Sequence, residues 1–150
     1  MKVHVPLLAV LLLAGCSRAP EEARVTVKDA VITLPAVPGG MGAAYFTLET
    51  NQEGSRLNAM SSPSIRSIEM HETREQGGRS TMAPLTPGAA MFGPDAPLRF
   101  APGGKHAMLR GVEPSVQIGG KVTLAFDVEP VGTITTEADV RGPGQAHAGH

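Results

Sequence analysis

The sequence predicts an all-β domain, an antiparallel Greek-key β-sandwich of seven to nine strands. Three observations carry that expectation. From Arg24 onward, apolar residues recur with a period of two rather than 3.6. Clusters of Gly, Pro, Asn and Ser interrupt these runs at roughly regular intervals, as strand-joining turns do. No stretch carries the apolar stripe of an amphipathic helix of ordinary length. Several short strands within about 115 residues fit a sandwich with Greek-key connections, and a chain of 150 residues fits one domain.

The elements follow in chain order. Lys2 precedes an apolar run from Val5 to Ala14. A bilayer-spanning helix needs about 20 apolar residues, so this shorter run reads as a secretion signal. It ends in Leu13-Ala14-Gly15-Cys16, which resembles the lipobox of bacterial lipoproteins. That resemblance implies cleavage before Cys16, acylation of its sulfur, and residues 1–15 as the signal peptide. Ser17 stands where an Asp would resemble an inner-membrane retention signal. The expected location is therefore the periplasmic side of a bacterial envelope, lipid-anchored, with the outer membrane favoured over the inner. Residues 16–23 carry Arg18, Pro20, Glu21 and Glu22 without an apolar period and read as a tether. One acyl chain anchors only marginally, but lipoproteins of this type carry more than one.

The domain proper is expected over 24–141. Val25, Val27, Ile32 and Leu34 mark a first extended stretch, and Ala44, Phe46 and Leu48 a second. Leu57 and Ala59 follow the turn-like Asn51-Gln52-Glu53-Gly54. Ile68 and Met70 alternate with Glu69 and His71. Val122, Leu124, Phe126 and Val128 form the cleanest alternation, and Ile134 to Val140 the last. The segment from Pro87 to Pro97 reads as a loop. Residues 142–150 are Gly/Ala-rich and read as a flexible tail carrying His147 and His150.

Composition removes several functions. The formal net charge is −1 and aromatics are 3% with no Trp, so the basic and stacking surfaces of nucleic-acid binders are missing. Cys16 is the only cysteine, so no intramolecular disulfide forms. No Gly-rich phosphate loop opens a helix, no Gly-x-Ser-x-Gly elbow is present, and His71-Glu72 does not continue into a zinc-protease motif. A non-enzymatic role is expected.

The chemistry-bearing residues are His and Met. In a strand, residues i and i+2 share a face, so an extended His106-Ala107-Met108 points an imidazole and a thioether the same way, with Ala107 and Leu109 toward the core. His71 belongs to the solvent face opposite Ile68 and Met70. Met82 follows across the Gly77-Gly78 turn, where a hairpin would bring the two together. Two imidazoles and two thioethers make a soft donor set that suits Cu(I) rather than hard cations. Zinc sites use thiolates and imidazoles instead, and a blue-copper centre needs a cysteine thiolate that a lipidated Cys16 cannot supply. Met70 is expected in the core, Met41 and Met60 in core or loop, and Glu69, Glu72 and Arg74 on a solvated rim.

At these residues the sequence resembles the periplasmic copper chaperones of the PCuAC family, whose signature is His, ten residues, Met, about twenty-one residues, His-x-Met. Here ten residues separate His71 from Met82, and His106-Ala107-Met108 closes the motif. The resemblance extends to Gly42-Ala43-Ala44-Tyr45-Phe46-Thr47-Leu48, Glu69-Met70-His71-Glu72-Thr73 and Ala101-Pro102-Gly103-Gly104-Lys105-His106, and spans about Val25 to Val140. One departure is the gap from Met82 to His106, which holds 23 residues. It leaves open whether Met91, in the longer loop, replaces or supplements Met82.

The resemblance implies a cupredoxin-like sandwich that binds Cu(I) through His71, Met82, His106 and Met108. It implies delivery by ligand exchange to the copper centre of a respiratory cytochrome oxidase, directly or through a thiol-bearing assembly factor. Some relatives carry His- or Met-rich tails, which would give His147 and His150 a secondary role toward Cu(II). Two other readings remain: a copper redox protein, which would need an open coordination position and a substrate cleft, and a metal-free binding module on the same scaffold.

Overall fold

The computed structural model describes residues 21–145. The apolar run, Cys16, His147 and His150 lie outside the described residues. Ten strands are present: β1 (Val25–Thr33), β2 (Met41–Thr50), β3 (Ser55–Ser61), β4 (Ile65–Gln76), β5 (Arg79–Pro84), β6 (Met91–Phe92), β7 (Leu98–Phe100), β8 (Lys105–Val112), β9 (Lys121–Glu129) and β10 (Gly132–Arg141). No α-helix occurs among the described residues; a single 3-10 turn spans Pro87–Ala90.

The strands form one hydrogen-bonded path in the order β5-β4-β8-β2-β1-β10-β9-β3-β6, with β7 alongside β2. The pairs are antiparallel except β1 with β10, which are parallel. The path doubles back on itself, so the two halves share one core. Phe46 of β2 stacks on Phe100 of β7 at 4.4 Å and meets Phe126 of β9 edge-on at 4.9 Å, in the offset and T-shaped geometries that aromatic quadrupoles favour. Alternation builds this core. Val122, Leu124, Phe126 and Val128 are all buried while Lys121, Thr123, Asp127 and Glu129 are exposed.

The two halves join at β1. Its first residues, Val25 to Lys28, pair with β2; then the register shifts between Lys28 and Val31. Asp29 there adopts a φ of 53°, a left-handed conformation that Asp tolerates better than most residues. Beyond this bulge, Val31–Thr33 pair with β2 on one edge and β10 on the other. A bulge of this kind bends a strand and increases its twist, which turns the sheet over its own core.

The all-β class is as expected, and two details differ. The Pro87–Pro97 segment is not a plain loop. It holds the 3-10 turn and β6, its Ala90 and Phe92 are buried, and β7 with buried Leu98 and Phe100 follows at once. Thr86 caps that turn by accepting a hydrogen bond from the Ala89 N–H at 3.4 Å. These two short strands bring the count to ten, one above the expected seven to nine. Ala59 does not alternate with Leu57: a register shift between them leaves Ala59 exposed and places Met60 in the core.

Candidate metal site

Strand β8 lies between β2 and β4, and its pairing sets the site. Ala107 and Leu109 are fully buried, so His106 and Met108 must point to the opposite, outward face. On β4, His71 stands directly across from His106, and Glu69 directly across from Met108. The two imidazole rings lie 6.2 Å apart, centroid to centroid, tilted by 39°. On β5, Met82 pairs with Thr73, two residues beyond His71. The β4–β5 hairpin turns at Gly77-Gly78, both at positive φ, and its register puts Met82 on the same face as His71.

The side chains converge on an open cavity of about 500 Å³ lined by Met82, His106, Met108, Met41, Tyr45 and Thr73 among others. His71 is not among the lining residues; it stands beside the cavity's His106 as its cross-strand partner. His106 and Met108 are half-buried, which fixes them, while Met82 is 55% exposed. Burial pushes the Tyr45 phenol above its ordinary pKa, so it stays neutral in this cavity.

Hydrogen bonds decide which nitrogens are available. His106 Nδ1 lies 2.9 Å from the Gly104 carbonyl oxygen. A carbonyl only accepts, so Nδ1 carries the proton and Nε2 keeps its lone pair for a metal. A backbone carbonyl is the usual outer partner of a metal-binding imidazole. His71 Nε2 is a longer 3.4 Å from Glu69 Oε2, and Glu69 Oε1 is 3.5 Å from Arg110 Nε. Glu69 therefore touches a candidate ligand and is not only a solvated rim residue. Glu72 hydrogen-bonds Arg74 Nε at 2.8 Å; that bond, with the charges of Arg74 and Lys105, holds its carboxyl below the usual range. It remains ionised and engaged with cations.

The donor set fits a soft metal. Among the described residues, no three His, Cys, Asp or Glu side chains gather as ligands for a metal ion. A metal here would depend on the thioethers, which select Cu(I) over hard cations. Met91 is not part of this set: on β6 it pairs with Arg56 of β3, and it does not line this cavity. Met70 packs against the core and Met60 lies within it, both as expected. Met41 does not: it is 49% exposed and lines the cavity. The expected secondary ligands His147 and His150 lie outside the described residues; Pro143 and Gly144 form part of the cavity wall.

Comparisons with known proteins bear on the family and the fold. The family model described as "LpqE-like: Putative lipoprotein LpqE-like" matches residues 25–140. A protein of Leifsonia xyli subsp. xyli described as "Putative lipoprotein Lxx21020" is 29% identical over 127 residues, 79% of this chain and 76% of its own. Among solved structures, the copper-bound PCuAC domain from PmoF2 superposes with a TM-score of 0.60 at 19% identity, covering 79% of this chain and 93% of that one. Apo-DR1885 from Deinococcus radiodurans superposes with a TM-score of 0.58 at 21% identity, covering 98% and 97%. Its Cu(I) form gives 0.55 at 21% identity, covering 89% and 87%. At these identities the likeness to the solved structures is one of fold.

Proposed function

The chain belongs to the LpqE-like family, and from that premise we propose that it is a lipid-anchored envelope protein that binds Cu(I) and passes it on. The observation that carries this reading is the His71–His106 cross-strand pair, with Met108 beside it and Met82 on the neighbouring strand, all on the outward face of one sheet. The family description as a lipoprotein supports acylation at Cys16, with residues 1–15 as signal, 16–23 as tether and 142–150 as tail around the 24–141 domain. Copper-bound and Cu(I)-bound forms among the proteins of like fold support the choice of metal.

The mechanism is ligand exchange without bond-making catalysis. His106 offers Nε2, because its Nδ1 is committed to Gly104. Met108 and Met82 offer neutral sulfur, which needs no deprotonation to bind and suits an oxidising compartment where a free thiol would be lost. The cavity is open to solvent on the Met82 side, so an incoming ligand can displace one thioether at a time. The acceptor in this proposal is the copper centre of a respiratory oxidase, or a thiol-bearing factor that serves it, as the PCuAC resemblance implies. The test is Cu(I) titration of the mature chain against a chromophoric chelator, with X-ray absorption on the loaded protein. One Cu(I) per chain with mixed nitrogen and sulfur neighbours is expected. No binding leaves the metal-free module in its place, and binding unaffected by His71→Ala and His106→Ala overturns this ligand set.

A further inference from the structure

Met41 has no role in the four-residue ligand set, and its position is unlike that of a structural methionine. It opens β2 and faces outward, since its neighbour Gly42 is buried and the register runs Ala44, Phe46 and Leu48 into the core. Ala43, two residues on and on the same face, pairs with Met108. Met41 is therefore the diagonal neighbour of Met108. Such neighbours lie about 7–8 Å apart, within reach of long side chains. Met41 is 49% exposed, close to the 55% of Met82, and both line the same cavity with His106 and Met108.

The backbone beneath Met41 is tightly held. A Cβ on Gly42 would come within 2.6 Å of the Thr33 carbonyl oxygen, so β2 lies close against β1 while the Met41 side chain projects free. The geometry is a half-buried His106–Met108 pair with an exposed, three-bond thioether arm on each side, Met82 from β5 and Met41 from β2.

We propose that Met41 is an exchange ligand for Cu(I), alternating with Met82 at the metal held by His106 and Met108. This rests on the copper reading of the site. In the exchange, a bond forms between the Met41 sulfur and copper as the bond to the Met82 sulfur breaks. Copper remains Cu(I), both thioethers are neutral, and no proton or electron moves. Such a step frees the Met82 side of the cavity for an acceptor without releasing the ion.

The test uses the mature chain with Met41→Leu, Met82→Leu and the double variant, and His106→Ala as control. Cu(I) affinity is read by chelator competition and sulfur neighbours by X-ray absorption; melting of the apo-proteins checks folding, with Met41→Gln as a second replacement. Met82→Leu is expected to keep the wild-type sulfur count, because Met41 takes the vacant position. Adding Met41→Leu then removes one sulfur and lowers affinity by about tenfold or more beyond Met82→Leu alone. If Met41→Leu and Met41→Gln leave sulfur count and affinity unchanged on the Met82→Leu background, Met41 is not a ligand. If His106→Ala also leaves Cu(I) binding intact, the copper reading itself fails, and the Met41 proposal with it.

Discussion

At the scale of single residues, the fixed part of the site is His106 and Met108, and their contributions separate cleanly from stability. Met108 faces outward and is only half-buried, so Met108→Ile keeps apolar bulk and removes sulfur at a cost of roughly 0.5 kcal/mol or less. Chelator competition should show Cu(I) affinity falling while the apo-protein melts almost unchanged. His106→Ala should behave alike, and the double variant should lose less than the sum because the two ligands share one metal. Met70→Ala should show the reverse pattern. Met70 packs against the core but is not fully buried, so a loss of about 1–2 kcal/mol, below the range for fully buried Met→Ala, is expected, with Cu(I) affinity kept. Wild-type affinity in Met108→Ile would remove the site. The pair was legible in the sequence because His106-Ala107-Met108 is followed by Leu109, and two core residues fix the face of the other two. Met41 was not, because Gly42 and Ala43 beside it offer no contrast between apolar and polar. Only the register with β8 reveals its direction.

At the scale of elements, the site depends on two registers. The β4–β5 hairpin closes with Gly77 and Gly78 at φ 60° and 75°, matching the two-residue turn with positive φ at both central positions. With Gln76 facing Arg79, Met82 falls opposite Thr73. A strand alternates faces with each residue, so combining Met82→Ala with Ala83→Met moves the thioether to the far side of the sheet by one position. Cu(I) affinity should then drop to that of Met82→Ala alone; full retention would show that Met82 does not need this face. The second register is β1 against β2. Gly42→Ala places a methyl against the Thr33 carbonyl oxygen, and backbone must shift to admit it. A loss of about 1–3 kcal/mol is expected, seen as a lower Tm. These registers follow from turns and alternation, which the sequence displays. The bulges at Asp29 and after Leu57 were not readable, because each is an extra residue that only a paired strand defines. Strands β6 and β7 were hidden by the Pro and Gly around them, although Phe92, Leu98 and Phe100 held the apolar signal.

At the scale of the whole molecule, the two halves of the sheet are joined by the parallel β1–β10 pair, the first and last strands of the domain. No local pattern announces that pairing, since it depends on residues more than a hundred positions apart. Its consequence is that the C-terminal end of β1 lies beside that of β10: Leu34 N–H donates to the Arg141 carbonyl at 3.0 Å, near the cavity wall formed by Leu34, Pro143 and Gly144. The site is built by strands within that single sheet, so it should not depend on the membrane. Among the described residues no helix is long and apolar enough to cross a bilayer, and the proposed anchor is the acylated Cys16. The seven residues from Ser17 to Ala23 span at most about 25 Å, so an anchor at Cys16 would hold the domain near the surface. Cys16→Ser should therefore abolish acylation and release the protein from the membrane fraction, while Cu(I) affinity stays at the wild-type value. Mass spectrometry of the N-terminus and fractionation check the first part, and chelator competition checks the second. An acylated, membrane-bound Cys16→Ser protein would overturn the anchor. A released protein that has lost Cu(I) would instead show that the membrane or the lipid completes the site, contrary to a site made by β4, β5 and β8.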